Sequence, residues 1–134
     1  MGVFMKGHSL SSTSVEIHHL PSGCLIRTTA PKDNGGDGSQ FSPTDLCAAS
    51  LAACATTIMG MAAKQAGFSI EVSFSLEKEM QSGPRKIAKL KVEYTIGGAF
   101  TAEQKKICED AGRNCPVRLT FGNNVEVLES YRFV

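Results

Sequence analysis

The chain has no tryptophan, only two tyrosines and almost no imbalance of charge: Lys and Arg number 14, Asp and Glu 13, for a formal net charge of +1. A surface so evenly charged gives no electrostatic reason for binding nucleic acid or an anionic membrane, and neither is expected as a partner. There is no basic run and no signal-peptide pattern. The one long apolar stretch is interrupted by Ser, Thr, Gln and Lys, so a membrane span is not expected and a cytoplasmic location is. No CxxC occurs, and His8, His18 and His19 do not stand at finger spacing from any thiol, so neither a structural zinc site nor another cofactor is expected. The five cysteines, Cys24, Cys47, Cys54, Cys108 and Cys115, are odd in number and lack the spacing of a secreted disulfide scaffold. In a reducing compartment such thiols are either inert core residues or chemically used.

What the chain does have is the stretch from Ser42 to Gly67, SPTDLCAASLAACATTIMGMAAKQAG. Ser42 suits an N-cap, and Pro43 follows at the first helical position, where its missing N–H costs nothing. Asp45, three residues after the cap, can close a capping box and favours the positive helix end. Gly67 is a stop signal. The interior is Ala, Leu, Met and Thr with almost no charge. A helix apolar all round is expected to be buried in a core or between subunits. Leu46, Cys47, Leu51, Cys54, Ile58 and Met61 recur at spacings of three and four and predict an apolar stripe that includes Cys54.

Around this helix the pattern is one of hairpins. A weak start predicts an edge strand around Val3 to Met5. Thr13 to His19 alternates, with Val15 and Ile17 on one side and Glu16 and His18 on the other. After the turn Pro21-Ser22-Gly23 comes a returning strand from Cys24 to Thr29. Ala30 to Gln40 is a loop by its Pro, Asp, Asn and Gly content. A second hairpin runs from Ile70 to Lys78, turns at Gln81-Ser82-Gly83-Pro84, and returns from Ile87 to Ile96 with Leu90, Val92, Tyr94 and Ile96 on one face. Thr101 to Arg113 reads as a helix with Thr101 and Gln104 as a capping box. Cys115-Pro116 opens another short helix, and Val125 to Phe133 is a last strand. Antiparallel hairpins with interposed helices make an α+β fold, expected as one domain over residues 1–134. Burying so apolar a central helix on all sides calls for a homodimer.

Two thiols stand out by position. Cys115, before Pro116, sits at a helix N-terminus, where the helix field lowers a thiol pKa. Cys54, in mid-helix, would need a cation or donor brought from elsewhere. Cys47 and Cys54 cannot pair, because seven helical positions rise about 10 Å.

Phe41-Ser42-Pro43-Thr44-Asp45-Leu46, then Leu51-Ala52-Ala53-Cys54, then Cys115-Pro116-Val117 some sixty residues on, resemble the OsmC/Ohr family of thiol-dependent peroxidases. Thr29-Ala30-Pro31 with Gly35-Gly36 fits the same pattern, and the resemblance spans nearly the whole chain. It implies an intertwined α+β homodimer with the central helices buried and the active sites at the subunit interface. It also implies that Cys54 is the peroxidatic cysteine and Cys115 the resolving one. The first would reduce an organic hydroperoxide and become a sulfenic acid, the second would condense with it to a disulfide, and an external dithiol would reset the pair.

The sequence departs from the family's peroxidase prototypes at the supporting residues. There, a glutamate follows the helix-start proline and holds an arginine over the reactive thiol. Here that position is Thr44, and the acid, Asp45, lies one residue later, about 100° round the helix. No arginine precedes Arg27. Arg27 in a strand and Arg118 one turn past Cys115 are the candidate cations, and Asp45 the candidate acid. The alternative implied by these departures is a non-catalytic dimer of the same fold that binds a small apolar ligand or senses redox state.

Overall fold

The computed structural model describes residues 2–98 and 101–134; Met1, at the head of the weakly patterned start, lies outside them. The chain forms two compact units, Met1–Leu46 and Cys47–Val134.

In the first unit three strands, β1 (Met5–Ser9), β2 (Ser14–His19) and β3 (Leu25–Thr29), form an antiparallel sheet in that order. The first strand begins where the expected one ends. The turn between β1 and β2 closes with the Leu10 N–H donating to the Ser14 carbonyl at 2.8 Å. Pairing then runs outward from Ser9↔Val15 to Met5↔His19, where β2 gives out. The alternation in β2 is inverted relative to hydrophobicity: Glu16 is buried and Val15 is exposed. A carboxylate tolerates burial when its oxygens are bonded. Arg27 Nε donates to Glu16 Oε1 at 3.0 Å, and His18 Nε2 lies 3.1 Å from Oε2. Those bonds, Arg27 foremost, hold the Glu16 carboxyl below the usual carboxylate range.

The long helix α1 (Pro43–Gln65) begins as the sequence dictates. The Asp45 N–H donates to Ser42 Oγ at 3.1 Å, and the Ser42 N–H donates to Asp45 Oδ2 at 2.9 Å, a reciprocal capping box. At the far end Gly67 takes φ +89°, and the Phe68 N–H reaches back to the Ala63 carbonyl at 3.0 Å. This left-handed turn satisfies the last carbonyls and needs glycine.

The second unit carries the body of α1 with β4 (Glu71–Gln81), β5 (Lys86–Gly97), α2 (Ala102–Arg113), α3 (Pro116–Phe121) and β6 (Glu126–Phe133). The strands form a sheet in the order β4-β5-β6. β4 and β5 are the expected hairpin. β6 lies parallel to β5, so the strands are not all in antiparallel pairs. A parallel neighbour needs a crossover of a dozen residues or more, and α2 and α3 supply it.

The core joins Leu51, Ala52, Ala55 and Met59 of α1 to Leu90, Val92, Tyr94 and Ile96 of β5, with Cys108 and Cys115. Each large aliphatic here contributes about 2 kcal/mol on leaving water. α1 is not buried all round. Its buried stripe is Ala48, Leu51, Ala52, Ala55, Met59 and Ala63, the alanine side; Cys54 and Ile58 flank it half-buried, while Cys47 and Met61 are exposed. With apolar residues on every face, periodicity cannot select which face packs, and small side chains allow the closest approach. By length and composition α1 is long and apolar enough to cross a membrane, so interruption by polar residues does not exclude that; its alanine face nonetheless packs in the core of the second unit.

α2 packs on β6 through Gly112, where a Cβ would stand 2.7 Å from the Tyr131 hydroxyl. Gly112→Ala should therefore cost about 1–3 kcal/mol by overpacking, read as a lower urea midpoint at unchanged m-value. An unaltered midpoint would mean that α2 and β6 are not in close contact.

Candidate active site

Three elements of the second unit bring the site together. α1 carries Cys54 on the margin of its buried stripe, so this thiol is partly open to solvent. Cys115 is fully buried as the N-cap of α3, with Pro116 at the first helical position. Its Sγ accepts the Arg118 backbone N–H at 3.4 Å. The two thiols are neighbours: Cys54 is among the groups that raise the Cys115 pKa. Burial foremost pushes the Cys115 thiol up; the Arg118 N–H pulls it down, and the Cys54 neighbour and the Glu129 carboxylate push it up again. The helix terminus therefore helps this thiolate, as its position before Pro116 suggests, but desolvation outweighs the help.

β6 supplies what the sequence reading misses. Its inward-facing residues are Val127, Glu129, Tyr131 and Phe133, so Glu129 turns into the unit with its side chain only 4 % exposed. The Tyr131 hydroxyl donates to Glu129 Oε2 at 2.7 Å. Arg118 Nε lies 3.3 Å from Oε1, and Arg113 Nη1 lies 3.8 Å from Oε2. The Arg113 guanidinium also covers the Tyr131 ring at 4.9 Å. Tyr131 stacks on Tyr94 with centroids 5.0 Å apart. The Tyr94 hydroxyl is buried without a hydrogen-bond partner among the described residues. Burial, then the charges of Glu129, Cys115 and Cys54, hold its pKa far above the ordinary tyrosine value. Two thiols, an unengaged phenol and a buried carboxylate flanked by two arginines thus share one neighbourhood. The signal for Glu129 was the strict period of two running back from Phe133 through Tyr131, which places it on the inner face.

The other predicted residues lie as follows. Arg118 is beside Cys115, its Nη1 donating to the Gly122 carbonyl at 3.3 Å and its Nε facing Glu129. Asp45 bonds the Ser42 N–H in the cap of α1. Arg27 is engaged by Glu16 in the sheet of the first unit.

Comparison with known proteins identifies the family to which this fold belongs. The family model for OsmC-like proteins matches residues 36–129. The chain belongs to the OsmC-like family. An uncharacterized protein of Acinetobacter baylyi is 30% identical over 76% of this chain and 73% of its own length. A solved structure from Psychrobacter arcticus, provisionally described as an osmotic stress induced and detoxification response protein, superposes with a TM-score of 0.90 at 29% identity over 98% of each chain. An organic hydroperoxide resistance protein OsmC from Legionella pneumophila superposes with a TM-score of 0.71 at 25% identity, covering 98% of this chain and 97% of its own. The α+β fold of the OsmC-like family is thus the fold of this chain.

The shifts at this site set a pH dependence. For Cys115, Cys108, Tyr94 and Tyr131 the native pKa is raised, by burial foremost in each case. The unfolded thiols lose protons first, near pH ~8.5, so stability is complete below that value and falls as pH climbs toward the native values. Thermal melts should show a nearly constant midpoint between about pH 6 and 8 and a steady decline above it. A midpoint that rises between pH 8 and 10 would contradict the burial of these groups.

Proposed function

We propose that this OsmC-like protein is a cysteine-based peroxidase acting on organic hydroperoxides, with Cys54 as nucleophile and Cys115 as resolving thiol. The observation that carries this reading is a partly accessible thiol beside a buried one whose ionisation it opposes. The Cys54 thiolate attacks the distal oxygen of ROOH. The O–O bond breaks, and the alkoxide takes a proton and leaves as the alcohol, with Cys54 oxidised to the sulfenic acid. Cys115 then attacks the sulfenic sulfur. The S–S bond forms, and the hydroxyl leaves as water with the Cys115 proton. An external dithiol reduces the disulfide by exchange. The Tyr94 hydroxyl, unengaged and close enough to both sulfurs to feel their charge, is the donor suited to the oxygen on Cys54. The half-buried apolar neighbours of Cys54, such as Ile58 in the next turn, favour an alkyl-bearing peroxide over hydrogen peroxide.

In this reading residues 1–134 act as one OsmC-like domain in a cytoplasmic homodimer. Support for the dimer comes from the apolar side chains left on the surface, among them Phe4, Met61 and Leu119. Arg118, rather than Arg27 or Asp45, is the supporting residue the site favours, because it shares Glu129 with the thiol neighbourhood.

The buried Glu129 carboxylate opposes ionisation of Cys115 and supports a second reading, in which the same pair oxidises slowly as a redox sensor. Kinetics separate the two. For the peroxidase, Cys54→Ser should abolish turnover of cumene hydroperoxide with a dithiol. Cys115→Ser should leave a Cys54 sulfenic acid that dimedone traps. Tyr94→Phe should slow the oxidation step about tenfold or more while leaving Cys54 reactive to iodoacetamide. Oxidation of both thiols without multiple turnover would favour the sensor. Thiols that remain reduced in excess peroxide would defeat both.

A further inference from the structure

A second cluster of chemistry-bearing side chains lies on one face of the β1-β2-β3 sheet, and the thiol chemistry makes no use of it. The strand period of two puts Glu16 and His18 on the same face of β2. The register His8↔Glu16 sets His8 directly across on β1, and Glu16↔Arg27 sets Arg27 directly across on β3. His18 Nε2 lies 3.1 Å and His8 Nε2 3.6 Å from the same oxygen, Glu16 Oε2. The three donor atoms all lie within 4.8 Å of one another.

We propose that His8, Glu16 and His18 form a binding site for a single divalent metal ion of the zinc class. Two imidazoles and a carboxylate are a donor set that suits zinc, and three protein ligands leave one position for water or an exogenous group. In a tetrahedral site with bonds of about 2.0–2.1 Å, neighbouring donors stand about 3.3 Å apart. The two separations to Oε2 bracket that spacing, and the two ring nitrogens lie within 4.8 Å of each other, so rotation of the imidazoles is the adjustment the ion calls for.

The carboxylate is already oriented for the task. Arg27 Nε holds Oε1 at 3.0 Å, which fixes the plane of the carboxyl group and leaves Oε2 to face both rings. Outer partners of this kind set the direction of ligating groups. Arg27 also opposes the incoming charge, but its side chain is 61% exposed and its field is screened by water. The bound ion would clip β1 to β2 through side chains as well as through the ladder. The ligands contain no sulfur, which is why their spacing from the cysteines says nothing about them.

The test uses the full-length, reduced protein after treatment with EDTA. Zinc chloride is titrated by calorimetry and cobalt chloride by visible absorption. The site predicts one equivalent per chain, retained in Cys54→Ser and Cys115→Ser, with a cobalt spectrum free of sulfur-to-metal charge transfer. His8→Ala and His18→Ala should each weaken binding by about tenfold or more, and Glu16→Gln should do the same. Should Glu16→Gln not fold, His8→Ala alone decides, since that side chain is more than half exposed. No binding, affinity unchanged in both histidine variants, or thiolate bands in the cobalt spectrum would each overturn the proposal.

Discussion

The candidate site depends on the approach of two sulfurs from segments some sixty residues apart. Cys115 is placed by local chemistry: proline at the first helical position and the Sγ acceptance of the Arg118 N–H fix it at the start of α3. Cys54 is placed by packing, since the alanine face of α1 lies in the core and turns the thiol to the edge of the buried stripe. Neither placement alone makes a site. Together they put a partly accessible thiol against a buried one, the division of labour that a nucleophile and a resolving partner require.

Electrostatics at this meeting point cut both ways. Burial costs Cys115 its charge more than the helix terminus returns. Glu129 adds a buried negative charge, which Arg113, Arg118 and the Tyr131 hydroxyl share. A thiol held protonated in the resting state is protected from chance oxidation. In the proposed cycle it acts only once its neighbour carries an oxygen, because the electrophilic sulfenic sulfur then replaces a competing thiol. Gly112 matters for the same reason: it lets α2 approach Tyr131 closely enough to keep the carboxylate bonded.

The parts of the fold legible in the sequence are those governed by short-range chemistry. The Ser42–Asp45 and Thr101–Gln104 boxes, the glycine stop at Gly67 and the Cys115-Pro116 helix start all follow from residues within one turn. What could not be read depends on partners distant in sequence. The face of α1 was ambiguous because every face is apolar. The parallel pairing of β6 is a tertiary choice that strand alternation does not encode. Glu16 and Glu129 look like solvated strand residues until their arginine partners are brought beside them. Of the candidate site, the family resemblance points to the two cysteines; the carboxylate and the tyrosines around them carry no such mark.

The most direct measurement is peptide mapping under non-reducing conditions after one equivalent of an organic hydroperoxide. The account predicts one dominant linked peptide joining Cys54 to Cys115, formed within the chain, with Cys24, Cys47 and Cys108 still free. Oxidation confined to an exposed thiol such as Cys47, with Cys54 and Cys115 unlinked, would contradict it.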